Sequence, residues 1–97
     1  MAGAPFAVLY RWRVEPAHEA EFRERWRRAT LDYREKHGAI GSCLARDERG
    51  DFVAFARWPS EQARAEAFAA RGAPAPWPGI IKSEEMKLTV VDDLLTG

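Results

Sequence analysis

The chain has one cysteine, Cys43, and two histidines, His18 and His37, among its 97 residues. A single thiol excludes an intramolecular disulfide, and no Cys/His grouping has the spacing of a zinc site. Neither sign of charge is in excess: 15 Lys plus Arg offset 15 Asp plus Glu. That balance argues against a general nucleic-acid binder, which carries a basic surplus. No apolar run approaches the roughly 20 residues of a membrane-spanning helix. The opening stretch Met-Ala-Gly-Ala-Pro-Phe lacks the charged-then-apolar layout of a signal peptide. No glycine-rich phosphate loop is visible either. These absences predict a cytoplasmic protein with no nucleic-acid partner, no membrane partner, no metal site and no cofactor. The length predicts a single domain spanning 1–97.

What the chain has is rings. Aromatic residues make up 11% of it, and four of them are tryptophans, Trp12, Trp26, Trp58 and Trp77. So many large rings in a short chain imply either a dense core or a flat-walled pocket.

Alternation predicts a strand over Phe6 to Val14, with Phe6, Val8, Tyr10, Trp12 and Val14 on one face. Pro16 suits the first position of a helix that ends near Gly38. Phe22, Trp26, Ala29, Tyr33 and His37 recur along it as one stripe, which leaves Leu31 facing outward. Trp26 and Tyr33 are expected to pack this helix on the sheet, His37 to sit at its C-terminal end and His18 to be solvated. Ser42 to Arg46 and Phe52 to Trp58 read as a hairpin around the polar turn 47–51. Ser60 reads as the N-cap of a second, alanine-rich helix over Glu61 to Ala70. Prolines exclude regular structure from the segment 73–79. An irregular turn over Ile80 to Glu85 and a last strand over Met86 to Val91 complete a β-α-β-β-α-β order.

Two helices cover one face of a four-stranded sheet. The other face would then show Ala7, Leu9, Val53, Phe55 and Val91 to water, at a cost of roughly 25 cal/mol per Å² of apolar surface. A second copy packed sheet to sheet is the simplest cover, so a homodimer is expected. Arg11, Arg13 and Arg57 would border that interface, opposite Asp92, Asp93 or acids of the partner.

The segment from Gly38 to Phe68 carries a resemblance. It runs Gly-Ala-Ile-Gly-Ser-Cys-Leu-Ala-Arg, a polar turn with Gly50, then Phe-Val-Ala-Phe-Ala-Arg-Trp-Pro-Ser-Glu-Gln-Ala. The strand-ending Trp58, followed by Pro-Ser and an acidic helix start, is its best marker. In these features, and in element order along nearly the whole chain, the sequence resembles the antibiotic biosynthesis monooxygenase family. The resemblance implies an α+β, ferredoxin-like βαββαβ fold: a four-stranded antiparallel sheet with two helices on one face, paired as a dimeric α/β barrel. Haem-degrading members use an Asn on the first strand, a Trp ending the third and a His on the second helix. Here Trp58 matches, whereas Tyr10 stands near the Asn position and Phe68 near the His position, so that route to haem is missing. Oxygenase members that act on polycyclic phenols need no metal or flavin, because the deprotonated substrate itself activates oxygen.

The resemblance thus implies a cofactor-independent monooxygenase acting on a small apolar, aromatic or polyketide-like molecule. A non-oxidative cyclase or isomerase, and a non-catalytic ligand-binding dimer, are the alternatives. Trp58 and Tyr10 are the candidate catalytic residues; Trp12, Trp77, Phe68 and Arg57 are the candidate substrate-binding residues. Ala63, Ala67 and Ala70 are expected to be too small to fill the space above Tyr10 and Trp58, leaving a gap for the ligand.

Overall fold

The structure, a computed structural model, describes residues 5–72 and 77–94. In chain order these form β1 (Phe6–Val14), a 3₁₀ turn (Pro16–His18), α1 (Glu19–Lys36), β2 (Gly41–Arg46), β3 (Phe52–Trp58), α2 (Glu61–Arg71) and β4 (Ile80–Thr89). All four strands join one antiparallel sheet in the order β2-β3-β1-β4. The arrangement is the ferredoxin-like βαββαβ fold. Residues 73–76 of the proline-rich segment lie outside the described residues.

The strand register sorts the side chains. Leu44, Ala54, Tyr10 and Glu85 form one cross-strand row, and Arg46, Phe52, Trp12 and Ser83 form another; both belong to the helix-bearing face. That face holds two cores. Phe6, Val8, Trp58 and Ala67 pack beneath α2, and Val14, Phe22 and Phe52 pack beneath α1. Ser60 starts α2 as expected, its Oγ accepting the Ala63 N–H at 3.1 Å. The 47–51 turn is built on Asp47, whose Oδ1 accepts the N–H groups of Arg49 and Asp51, each at 2.9 Å.

Three sequence expectations change. The proline at 16 opens a 3₁₀ turn, and the α-helix proper begins at Glu19. The last strand begins at Ile80, where an irregular turn was expected, and ends at Thr89. Its register places Met86 beside Leu9 and Leu88 beside Ala7, on the face away from the helices. Val91 follows the strand and is 87% exposed, so Met86 and Leu88 take the part on the open face expected of Val91.

Among the described residues, no helix is long and apolar enough to cross a membrane. No group of three or more His, Cys, Asp or Glu among them could hold a metal ion.

Candidate functional site

A cavity of about 460 Å³ lies between the helix-bearing face of the sheet and the two helices. Helix α1 meets the sheet through Phe22, which is fully buried against Val14 and Phe52. Toward its C-terminal half, Ala29 and Thr30 present little bulk, and so do Gly41, Ser42 and Ala56 on the sheet. Small side chains on both walls leave the space open. Trp26 and Tyr33 both line this space, and Tyr33 also packs α1 against the Trp58 core cluster as expected.

The walls are aromatic. Tyr10 and Trp12 leave β1 on the same face, and their rings stack at 5.2 Å with an interplanar angle of 7°. Trp77 continues the row, nearly parallel to Trp12 at 6.5 Å. A second group joins Tyr33 to Trp58 edge-on at 5.5 Å and to Phe68 in a stack at 5.2 Å. Trp58 is only 3% exposed, so it belongs to the core and to the cavity wall at once.

Trp77 is held from both sides. Its ring meets Phe22 edge-on at 5.2 Å, and the Arg25 guanidinium lies over it at 5.1 Å. Two residues on, the Gly79 carbonyl accepts the Glu15 N–H at 2.8 Å. Gly79 has φ +76°, and a Cβ there would meet the His18 Cβ at 2.4 Å. Only glycine allows the chain to approach this closely. His18, expected to be solvated, is half-buried against this turn.

Tyr10 carries the polar handle. Its hydroxyl oxygen accepts a hydrogen bond from Arg64 Nη2 at 2.8 Å, and the same nitrogen donates to Glu85 Oε1 at 2.9 Å. Arg64 is 7% exposed, its guanidinium lying over the Phe68 ring at 4.3 Å. Burial pushes the Tyr10 phenol up, and the hydrogen bond and charge of Arg64 pull it back only in part. At neutral pH Tyr10 is therefore a protonated donor and not a base. The sequence reading missed Arg64 in a charged, alanine-rich stretch. The available signal was its spacing, three and four residues before Ala67 and Phe68, which puts it on the inward side of α2.

Tyr10, Trp12, Trp58, Phe68 and Trp77 therefore border one space. Arg57 does not: it pairs across the sheet with Ala7 and Gly41 on the opposite face, where its guanidinium is bonded to Asp93. It is corrected from a substrate-binding candidate to part of the sheet's far side. The alanine expectation fails as well. Ala67 is buried against the Phe6, Val8 and Trp58 cluster and Ala63 packs beside it, so α2 closes on the sheet there. The opening lies further along, at Phe68, Arg71 and Gly72. Among the described residues, three arginines line the cavity, Arg25, Arg28 and Arg71, and no carboxylate or histidine does.

The ferredoxin-like fold, two helices on one face of a four-stranded sheet, is shared with solved structures of antibiotic biosynthesis monooxygenase-type proteins. No protein-family model matches the sequence, and no curated protein matches it. Solved structures do. SnoaB, a cofactor-independent oxygenase from Streptomyces nogalater, is 21% identical, with a TM-score of 0.72 over 96% of this chain and 99% of that one. A candidate antibiotic biosynthesis monooxygenase from Caulobacter crescentus is 20% identical, with a TM-score of 0.72 over 92% of both chains. MhuD, a heme-degrader from Mycobacterium tuberculosis with two hemes bound in its active site, is 19% identical, with a TM-score of 0.68 over 92% of this chain and 98% of that one. At these identities the likeness is one of fold.

Proposed function

We propose that this chain is a cofactor-independent monooxygenase that binds an electron-rich aromatic or polyketide-like molecule in the cavity and works as a homodimer. The observation that carries the reading is the cavity itself, walled by aromatic rings and furnished with two phenols, of which Tyr10 is held by Arg64. A planar substrate would slide between the Tyr10–Trp12–Trp77 row and the Tyr33–Trp58–Phe68 group, gaining both burial and stacking. In the overall reaction a ring CH₂ and O₂ become C=O and H₂O. The substrate loses a proton, its carbanion reduces and adds dioxygen, and the resulting hydroperoxide expels water. Tyr10, kept protonated, would donate to the substrate oxygen that gathers negative charge, and Trp58 would form the wall behind it. Among the described residues the lining holds no carboxylate or histidine to take the proton, and its arginines are cationic at neutral pH, so the substrate must be acidic in its own right.

Haem fits this lining poorly. Among the described residues, neither histidine borders the cavity, nor does Cys43 or Met86, so the usual axial ligands are missing there. Of its two tyrosines, Tyr10 is already bonded to Arg64 and Tyr33 is stacked on Phe68.

The open sheet face supports the dimer. Leu9, Phe55 and Met86 share one cross-strand row there, and Met86 is 56% exposed. The pairs Arg57–Asp93, Arg11–Asp47 and Arg13–Asp51 border it.

The test is oxygen uptake with an anthrone as substrate. One O₂ consumed per product is expected, and Tyr10→Phe should slow turnover by about 10²-fold, the usual loss for one oxyanion donor. Conversion without oxygen uptake would favour a cyclase or isomerase. Saturable binding without conversion would leave a ligand-binding dimer.

A further inference from the structure

We propose that the ligand is an aromatic acid, whose planar ring system enters the cavity while its anionic oxygens lie against the arginines of the lining. This rests on the cavity being the ligand site, and it adds the charge of the ligand. The protein as a whole is formally neutral, yet among the described residues those lining the cavity include three arginines and no carboxylate. The acids paired with two of them, Asp32 with Arg71 and Glu24 with Arg28, lie outside the lining. The arginines are also held in place. Arg25 lies over Trp77 at 5.1 Å, and Arg71 lies over Tyr33 at 4.8 Å while its Nε is 3.0 Å from Asp32. Arg28 makes an exposed contact to Glu24 at 3.5 Å.

A guanidinium seated on a ring keeps N–H donors in its own plane, and that plane matches the two oxygens of a carboxylate. The same rings are the walls against which an aromatic ligand would pack, so ring recognition and charge recognition come from adjoining groups. Apolar walls lower the local dielectric, which strengthens attraction for an anion relative to the open surface. The lack of a carboxylate or histidine among the described lining residues agrees with this: such a site has no proton acceptor to ionise a neutral ligand and suits one that arrives already charged.

The experiment compares anthraquinone-2-carboxylate with anthraquinone-2-carboxamide by isothermal titration against the intact protein. The two probes have nearly the same shape and differ by one charge. The carboxylate should bind at least about ten-fold more tightly, and that advantage should shrink when ionic strength rises from about 0.05 to 0.5 M. Arg28→Gln, at an exposed position, and Arg71→Gln should each reduce the ratio of carboxylate to carboxamide affinity. Equal affinities for the two probes, or a preference for the carboxamide, would overturn the inference and leave the cavity as the ligand site. Binding of neither probe would overturn the inference together with the assignment of the cavity.

Discussion

Asp47 and Tyr10 show how single residues here are tuned by what surrounds them. Burial alone would raise the Asp47 carboxyl, but the N–H groups of Asp51 and Arg49 and the Arg11 guanidinium outweigh it and hold it below its ordinary value. A depressed carboxyl stabilises the fold above the normal carboxylate range and loses that contribution as pH falls through the lowered value. The urea-unfolding midpoint should therefore fall between about pH 5 and pH 3. Asp47→Asn should lower the midpoint at pH 7 and flatten its acid dependence. An unchanged acid limb in that variant would assign the loss to other groups. At this scale the rings were readable from the sequence, because alternation along β1 and β3 fixes which of them share a face. Arg57 was readable in the same way: alternation along β3 puts it on the far face, where it meets Asp93, and that placement conflicts with the substrate-binding role also expected of it. Arg64 was not, because a buried arginine on a charged helix is visible only after Tyr10 and Glu85 come within reach of it.

The two elements that departed from expectation did so for separate reasons. β4 is an edge strand paired only with β1, so its polar run Lys82 to Glu85 need not alternate with apolar residues to be held. Periodicity was silent there, and pairing with β1 supplied the missing constraint. In α2 the small residues were legible but their consequence was not. Alanines can leave a gap or let a helix approach, and the 4% exposure of Ala67 shows the approach. Ala67→Leu should force the helix off Phe6, Val8 and Trp58 and destabilise the fold by about 1–3 kcal/mol, measured by urea unfolding. A neutral or stabilising effect would mean that space remains beneath α2 after all. The cavity instead arises where α1 and the sheet both carry small residues, a pairing that no single segment displays.

For the whole molecule, the order βαββαβ and both helices on one face were readable, and the apolar far face followed from them. Its composition shifted from Val91 to Met86 and Leu88 once the register of β4 was known. Phe55 pairs with Leu9 in the middle of that face. Phe55→Asp should convert a dimer to a monomer in sedimentation at micromolar concentration, because a buried unpaired carboxylate costs several kcal/mol. A wild-type monomer under the same conditions would rule out the proposed assembly while leaving the cavity intact.

The cavity is the central claim, and the tryptophans report on it directly. All four, Trp12, Trp26, Trp58 and Trp77, line it. The measurement is a ¹H–¹⁵N NMR titration with a planar hydroxyanthraquinone, following the indole N–H signals beside the backbone amides of Leu9, Phe55 and Met86. The account predicts that the indole signals shift together and saturate at one ligand per chain, while the far-face amides stay in place. Indole signals that remain unmoved while the far-face amides shift would contradict it.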